Sequence, residues 1–393
     1  MRSKFMKKIL SIIMSVVMVL TLSVCAFAAY DSEDEKLSFN SDGKFKIMMI
    51  NDTQDVGKGN DERTVKFINA ALDAEKPDLV VFVGDQLSDM YINPSKADFE
   101  LALKHILQPV EDRGIPFLAT LGNHDHDREA TLAEDDQYEI YNSYSMCING
   151  DNGTDHFTFS TPVYGTDGQM KFNIYMMDTN NKAPEGGYSG INAEQLAWYN
   201  ETSAALKAEN GGEAVPSLLF QHVPVKEIYS LMKECKWNVD GAIYSRRDSK
   251  WYTLNQDLMV EEGGKLGEAP CSENFDVITG QYQAWLENGD IMGAFFAHDH
   301  VNNFVGVNED GIKMGYNGGT GFRAYGNGDQ RSIRIFELDE NDVTDYETRL
   351  VTYAEMVGPL KLVTSDILTP AWLTRIMKVV YACFGWIIDI FHK

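Results

Sequence analysis

Cysteine is scarce in this chain of 393 residues, which contains five. The five lie far apart, and no two are spaced as in a zinc ribbon. Such spacing excludes a dense disulfide framework and allows at most one bridge among the last four cysteines. A body of about 300 residues is long enough to bury a hydrophobic core without covalent links of this kind.

Basic residues are also few relative to acidic residues. The chain has 34 lysine and arginine residues against 59 aspartate and glutamate residues, which gives a formal net charge of -25 at pH 7. Nucleic acids and anionic membranes repel such a surface, so we expect the folded body to bind no nucleic-acid polymer. A small anionic substrate is compatible with this charge, because bound metal ions reverse the sign of the local field.

The first 28 residues have the layout of a secretory signal peptide. Four basic residues precede an apolar run at 9–24, and Ala-Phe-Ala follows at 26–28. We expect cleavage after Ala28 and a secreted or extracytoplasmic, cell-surface protein. A bulky valine precedes Cys25, which argues against lipid attachment at this cysteine. The acidic residues 29–43 are expected to form a flexible lead.

Apolar segments and helical patterns alternate along the central part of the chain. Such alternation predicts an α/β domain with a mostly parallel sheet, which we assign to residues 44–340. Beyond the strand predicted at 291–296, short strands follow one another without intervening helices. We therefore expect this end of the domain to be antiparallel.

Five short polar clusters stand at the carboxyl ends of predicted strands. They are Asp52-Thr53-Gln54, Gly84-Asp85, Gly122-Asn123-His124-Asp125, Gln221-His222 and His298-Asp299-His300. Loops beyond the carboxyl ends of parallel strands converge, so we expect these side chains to meet. Their carboxylate, amide and imidazole groups can hold two metal ions, which predicts a dinuclear metal hydrolase. The polar, glycine-containing residues 226–280 are interpreted as an insertion over this active face.

The order of these clusters resembles the calcineurin-like metallophosphoesterase superfamily, whose pattern is Asp-x-His, Gly-Asp, Gly-Asn-His-Asp or Glu, His, and Gly-His-x-His. Three further segments, at 267–271, 298–302 and 320–326, are similar to the branch related to purple acid phosphatases. The resemblance implies a layered α/β/β/α sandwich of mixed sheets. It also implies two ligand sets that share Asp85: Asp52, Asp85 and His300 for the first ion, and Asp85, Asn123, His222 and His298 for the second.

Two positions depart from the family's pattern. Gln54 stands where the family most often has histidine, and its uncharged amide oxygen could coordinate the first ion, bind it through water, or do neither. Ser88 lies three residues after the shared carboxylate, where purple enzymes carry a tyrosine, so no purple colour is expected. Mixed oxygen and imidazole ligands suit two divalent or trivalent ions of Mn, Fe, Zn or Co and do not select among them.

This ligand set implies hydrolysis of phosphate mono- or diesters. A water held between two metal ions loses a proton near neutral pH, and the resulting hydroxide attacks phosphorus in line. His124 resembles the family's general acid, which would protonate the leaving oxygen, with Asp89 as a candidate to orient it. The competing hypothesis is a surface binding protein that keeps the fold and the metals but is catalytically impaired.

Several neighbours of the motifs allow two interpretations. Arg323 and Tyr325 are candidates for substrate contacts, or else exposed residues of a glycine-rich turn. Asp55, Asp125 and Asp299 either fix the imidazoles from behind or lie in surface turns. His126 is interpreted as a solvated loop histidine.

The extension at 341–393 contains an amphipathic pattern. As a helix, residues 371–391 place Arg375, Lys378 and Asp389 on one narrow stripe, with apolar residues around the rest. The longest uncharged run, 379–388, is shorter than the roughly 20 residues that span a bilayer, so membrane crossing is not expected. Docking on the body, peripheral membrane contact and self-association are all left open, as is the oligomeric state.

Overall fold

The computed structural model describes residues 36–56, 61–88, 95–127, 132–150, 152, 155–183, 186–271, 279–361 and 374–383. The predicted signal peptide lies outside these residues, as does Asp89. Residues 36–43 differ from the predicted flexible lead, because Leu37 and Phe39 pack into the core and the backbone N–H of Phe39 donates to the carbonyl of Tyr164 over 2.8 Å. Two apolar residues in an acidic segment are enough to anchor it.

The described residues form strands and helices in alternation. The strands are β1 (Lys44–Ile50), β2 (Leu79–Val83), β3 (Phe117–Thr120), β4 (Phe159–Tyr164), β5 (Met170–Met177), β6 (Ser217–Gln221), β7 (Met232–Glu234), β8 (Ile243–Ser245), β9 (Lys250–Leu254), β10 (Ile291–Phe296), β11 (Val305–Val307), β12 (Lys313–Tyr316), β13 (Ser332–Asp339) and β14 (Asp342–Thr352). The helices are α1 (Glu62–Glu75), α2 (Lys96–Glu111), α3 (Asn123–His126), α4 (Glu134–Asn142), α5 (Ala193–Glu209), α6 (Gln281–Asn288) and α7 (Tyr353–Met356), followed by helical residues 374–383, here called the terminal helix.

Two large mixed sheets organise the domain. Their strand orders are β14-β13-β1-β2-β3 and β11-β12-β10-β6-β5-β4. Strands β1, β2 and β3 are parallel, as are β5, β6, β10 and β12, whereas β4, β11, β13 and β14 pair antiparallel. The predicted α/β class with mixed sheets is confirmed.

The expectation of an antiparallel end is correct for β11 and β13 and wrong for β12. Strand β12 pairs parallel with β10 and antiparallel with β11. The chain leaves β10, runs back along the sheet edge as β11, and turns again, so that β12 fills the place beside β10. Sequence patterns alone do not distinguish this crossover from a simple meander.

The core lies between the two sheets and on their outer faces. Ile47 and Met49 of β1 belong to a cluster that also contains Ile174, Leu218 and other residues of the second sheet, so these side chains fill the space between the sheets. Met48, which points the other way, is also fully buried. Burial on both faces is typical of central parallel strands flanked by helices, and it fixes the register of their carboxyl ends.

Helix starts follow their capping residues. Asp61 caps α1 by accepting from the backbone N–H of Arg63. Ser95 and Asp98 form a reciprocal capping box at α2, and Asn192 and Gln195 form another at α5. Each box satisfies backbone N–H groups that have no partner within the helix.

Residues 226–280 contain a small sheet of their own, in the order β7-β9-β8. The terminal helix packs on this sheet: the ring of Tyr381 lies 5.5 Å from that of Trp251, and the backbone N–H of Tyr244 donates to Oγ1 of Thr374 over 3.2 Å. The rest of the helix predicted at 371–391 lies outside the described residues. Within the described part of the chain, no helix has the length and apolar character needed to traverse a bilayer. The four described cysteines are unbridged thiols.

Candidate metal centre

The predicted ligands lie at one edge of the two sheets. Each follows the carboxyl end of a strand: Asp52 after β1, Asp85 after β2, Asn123 after β3, His222 after β6, and His298 and His300 after β10. All are buried except His298, which is half-buried. The folded chain therefore brings together side chains that are up to 248 positions apart in the sequence.

The backbone at these strand ends is strained. Asp52, Gln54, Asp85 and His298 have φ values of 51°, 45°, 53° and 74°, in the left-handed region that residues with a Cβ rarely adopt. Backbone hydrogen bonds hold them there; the N–H of Asp52 donates to the carbonyl of Gly84 over 3.1 Å. Strain of this kind persists where the surrounding structure enforces a functional geometry.

Two glycines of the motifs are required by close approach. A Cβ on Gly84, where φ is 76°, would lie 2.6 Å from Nδ1 of His222. A Cβ on Gly122 would lie 2.4 Å from Oδ1 of Asp85. Both distances are shorter than real side chains allow, so the Gly-Asp and Gly-Asn-His motifs give the shared carboxylate and His222 room to meet.

Asp52, Asp85 and His300 form the first ligand set. One ligand atom from each lies within 4.8 Å of the other two. Nδ1 of His300 lies 2.8 Å from the carbonyl of Tyr325, so Nδ1 carries the proton and Nε2 is free to face Oδ1 of Asp52, 3.1 Å away. This arrangement presents the unprotonated nitrogen that a metal ion needs.

Asp85, His222 and His298 form the second set, again with ligand atoms within 4.8 Å of one another. Nδ1 of His222 donates to the carbonyl of Val83 over 3.0 Å, and Nε2 lies 3.2 Å from Oδ2 of Asp85. Nδ1 of His298 lies 3.3 Å from Nε2 of His222. Asp85 thus takes part in both sets, as a bridging carboxylate does.

Three side-chain oxygen atoms at this edge lack a hydrogen-bond partner. Oδ1 of Asp52, Oδ1 of Asn123 and Oε1 of Gln54 are buried and accept no hydrogen bond of good geometry. A buried acceptor without a partner costs about 1–3 kcal/mol, and more when it is charged. Cations between the two sets would satisfy the oxygens of Asp52 and Asn123, so the donor set fits a pair of metal ions.

Gln54 lies at the site with its amide nitrogen, and not its amide oxygen, facing the ligand atoms. Its Nε2 donates to Oδ2 of Asp85 over 3.0 Å and lies 3.4 Å from Nε2 of His300, while its oxygen has no partner. The nitrogen therefore points at the ligand atoms of the first set. Coordination by Gln54 requires a flip of this amide.

Electrostatics favour ionised carboxylates and one neutral imidazole. Burial disfavours the charge on Asp85, but the nearby His222 and His124 outweigh burial and hold the pKa of Asp85 well below its usual range. Burial and the charge of His222 lower the pKa of His298 to about 3, so His298 is neutral and ready to coordinate at neutral pH.

His124 has a partner that the sequence analysis missed. Its Nδ1 lies 2.8 Å from Oδ2 of Asp127, three residues later, and its backbone N–H donates to Oδ1 of Asp85 over 2.8 Å. Burial lowers the pKa of His124, but the charge of Asp85 and the hydrogen bond to Asp127 outweigh burial and raise the pKa to about 9. The i,i+3 spacing of His124 and Asp127, at the end of α3, is the sequence signal that could have identified this partner.

Three acidic neighbours of the motifs are buried supports and not surface turn residues. Asp125 accepts from the backbone N–H groups of Leu87 and Gly122, at 2.8 and 2.9 Å. Asp299 accepts from the hydroxyl of Tyr316 at 2.7 Å and from the backbone of Cys271. Asp55 accepts from the backbone of Val56 at 2.7 Å. These carboxylates fix the loops that carry the ligands.

The two predicted substrate contacts differ in position. Tyr325 stacks on His300, with ring centroids 4.3 Å apart and planes 5° apart, and its hydroxyl donates to Oε1 of Glu268 over 2.8 Å. It lines the cavity at the ligands and also orients His300. Arg323 is not among the described residues that line this cavity, and its Nε lies 3.8 Å from Asp55. The role of Arg323 as a substrate contact stays a prediction.

His126 is not the solvated loop residue predicted from sequence. Its Nε2 lies 2.9 Å from Asp178, with side-chain exposures of 11% and 3%, and Glu134 completes a third group of ligand-type atoms within 4.8 Å. Burial lowers the pKa of His126, but Asp178 outweighs burial and raises the pKa to about 9. The carboxylate at the end of β5 carries no motif, so sequence spacing gave no signal for it.

Substitution of Asp178→Asn is expected to destabilise the fold in a pH-dependent manner. Because the folded pKa of His126 is raised, its ion pair contributes fully below the ordinary pKa of 6.5 and is lost as pH rises through about 9. Thermal or urea unfolding should show a loss of about 3 kcal/mol at pH 6 and a clearly smaller loss at pH 10. Asp167→Asn, which breaks an exposed pair with Lys171, is the control. An equal loss at both pH values would contradict the assignment.

The ligands open into a cavity of about 330 Å³. Its wall includes Asp85, His298 and His300 from the loops after the strands and His124 from α3. Arg246 and Arg247 of the insertion and Thr374 of the terminal helix complete it. The insertion is fixed to the ligand loop, because Asn302 Oδ1 accepts from the backbone N–H groups of Gly267 and Glu268 over 2.9 and 3.1 Å. Segment 226–280 thus forms one wall of the site.

Comparison with known proteins identifies relatives of this chain. The relative named "Probable inactive purple acid phosphatase 14" from Arabidopsis thaliana is 28% identical over 367 residues, covering 84% of this chain and 84% of its own length. "Phosphatase DCR2" of Saccharomyces cerevisiae is 25% identical, covering 79% of this chain and 54% of its own. The solved structure of purple acid phosphatase PPD1 from yellow lupin (Lupinus luteus) seeds is 13% identical, with a TM-score of 0.42, covering 82% of this chain and 57% of that one. A family model described as calcineurin-like phosphoesterase matches residues 45–302, more than half of the sequence, and the chain therefore belongs to that family.

Proposed function

We propose that the protein is an exported phosphoesterase that hydrolyses phosphate mono- or diesters with two metal ions. The observation that carries the proposal is the meeting of the two ligand sets, with unsatisfied buried oxygens on Asp52 and Asn123, beside the paired His124 and Asp127. A nucleophile site and a proton donor then face the same cavity, which is the arrangement that ester hydrolysis requires.

The metal ligands and His124 have different roles in the proposed reaction. When bound, the two cations would lower the pKa of a water molecule and neutralise charge on the phosphoryl oxygens. Asp85 would bridge them, and the carbonyls of Val83 and Tyr325 fix the tautomers of His222 and His300. Asp127 holds Nδ1 of His124, which leaves Nε2 to donate a proton to the leaving oxygen.

Export is part of the proposal and is supported by sequence alone. The basic start, the apolar run at 9–24 and the Ala-Phe-Ala segment at 26–28 are the features that signal peptidases and the export machinery recognise.

A second candidate is a metal-containing surface binding protein that has lost turnover. Two observations favour it: the amide nitrogen of Gln54 faces the first ligand set, and the Arabidopsis relative's name describes it as probably inactive. The paired His124 and Asp127, and the two ligand sets, are nevertheless in place in this chain.

Metal analysis together with hydrolysis assays separates the two candidates. Protein recovered from outside the cells, expected to begin at Ala29, should contain two ions per chain and hydrolyse p-nitrophenyl phosphate or its diester. Chelation should abolish this hydrolysis, and the preferred metal among Mn, Fe, Zn and Co should restore it. One ion per chain with no hydrolysis under any metal would support the binding protein and contradict the enzyme.

A further inference from the structure

The insertion brings two arginines to the cavity that contains the metal ligands. Strands β8 and β9 pair antiparallel, and the turn between them begins with Arg246 and Arg247. Both residues line the cavity together with His298 and His300. Arg246 is exposed and Arg247 is half-buried, with its Nη2 3.6 Å from Sγ of Cys271.

These arginines stand out in a chain of net charge -25. Among the described residues that line the cavity, no other lysine or arginine occurs. Two carboxylates near the arginines accept hydrogen bonds from tyrosine hydroxyls. Oε1 of Glu268 accepts from the hydroxyl of Tyr325 over 2.8 Å. Asp248, beside the pair, accepts from the hydroxyl of Tyr252.

The cavity is shaped for a small organic molecule. Its volume, about 330 Å³, lies at the lower end of the range for ligand pockets. Tyr188, Tyr229 and Tyr244 contribute rings to its wall, and Tyr188 packs edge-on against His298 at 4.4 Å. An ester bound at the metal ligands would therefore extend its leaving group toward the rings and the arginines.

The turn that carries the arginines is held in place from behind. Tyr244, two residues before Arg246, packs on Trp251 across the β8–β9 pair, and Tyr381 of the terminal helix contacts both rings. The backbone of Tyr244 donates to Thr374 of the same helix. Arginine forks that are positioned in advance lose less entropy when they bind an anion.

We propose that Arg246 and Arg247 form a subsite for a second phosphate group on the substrate. The inference rests on the proposed function, and it names the substrate class: small molecules that carry two phosphate groups, one hydrolysed at the metal ligands and the other held by the arginine forks. Paired, charge-assisted hydrogen bonds from guanidinium to phosphate supply the selectivity.

Binding can be tested without turnover. Phosphonates have carbon–phosphorus bonds that phosphoesterases do not cleave, so calorimetry with butane-1,4-bisphosphonate and with butylphosphonate measures the second anion's contribution directly. In metal-loaded protein the bisphosphonate should bind about 10–100-fold more tightly, and Arg246→Gln/Arg247→Gln should remove most of this difference, since the charge-assisted hydrogen bonds to the second anion are then lost. Lys233→Gln/Lys250→Gln removes two exposed charges from the same small sheet outside the cavity and should change neither affinity.

Hydrolysis provides the second readout. For the double arginine variant, kcat/KM should fall about 10–100-fold on glucose 1,6-bisphosphate and stay within about twofold on p-nitrophenyl phosphate, because only the first substrate reaches the subsite. Equal losses on both substrates, or equal affinity of wild type for the two phosphonates, would overturn the subsite. Arginine-dependent bisphosphonate binding in a protein that hydrolyses no ester would overturn the proposed function and leave the subsite standing.

Discussion

Asp85→Asn is expected to remove both metal binding and hydrolysis. Asp85 belongs to both ligand sets, and the nearby imidazoles keep it ionised, so an amide in its place loses one negative charge at the point where two cations are to be held. Removing an outer partner of a metal ligand costs about 10–100-fold in affinity, and loss of the shared ligand should cost more. Metal content measured by mass spectrometry should fall from two ions per chain to one or none.

The rate of ester hydrolysis by Asp85→Asn should also fall strongly. Metal ions contribute several kcal/mol to stabilising the charge of the transition state. Since each 1.36 kcal/mol is tenfold in rate, hydrolysis of p-nitrophenyl phosphate should fall by about 10³-fold or more. Asp290→Asn is the matched control, because Asp290 is also buried and accepts from Tyr175 and Tyr199 but lies before β10, away from the ligands. Two tightly bound ions in Asp85→Asn would show that Asp85 is not the shared ligand.

His124→Ala should separate proton donation from metal binding. The imidazole lines the cavity and is held by Asp127 without belonging to either ligand set. We expect metal content to be unchanged and kcat to fall on the order of 10²–10⁴-fold, the usual contribution of a positioned general acid. The loss should be largest for alkyl phosphates, whose leaving oxygen needs a proton, and smaller for p-nitrophenyl phosphate.

The pH profile gives an independent check on this role. The charge of Asp85 helps to raise the pKa of His124 to about 9, and cations on Asp85 would cancel part of that effect. Activity on an alkyl phosphate should therefore decline at alkaline pH with a pKa below 9, and His124→Ala should lose this decline. His156→Ala, which alters a histidine near α4, should keep the wild-type rate and profile. A His124→Ala variant with the wild-type rate on alkyl phosphates would exclude the general-acid role.

Much of the fold and the ligand geometry follows from local sequence signals. The strand ends at Ile50 and Val83 can be predicted because buried apolar runs stop at Asn51 and Gly84. The predicted metal ligands follow within two residues of each strand end. The strand topology at the end of the domain is harder to predict from the sequence. Strand β12 lies parallel to β10 because β11 occupies the sheet edge.

Partners chosen by tertiary packing left no trace in the sequence. The sequence around His126 is typical of a loop, and its partner Asp178 comes from the end of β5 only in the folded chain. The backbone carbonyl of Tyr325, which sets the tautomer of His300, is likewise a partner that only folding brings near. The amide orientation of Gln54 is likewise decided by its hydrogen bond to Asp85. Such contacts depend on which elements become neighbours after folding, and residue types at fixed spacing do not encode that information.

The anchorage of Thr374 and Tyr381 behind the β8–β9 turn ties the last part of the chain to the choice of substrate. A protease that clipped the polypeptide after Lys361 would leave every metal ligand and His124 untouched while freeing the arginine turn from its support. Trimming at this end is then expected to weaken the proposed preference for esters with a second phosphate group, while the metal ligands stay in place.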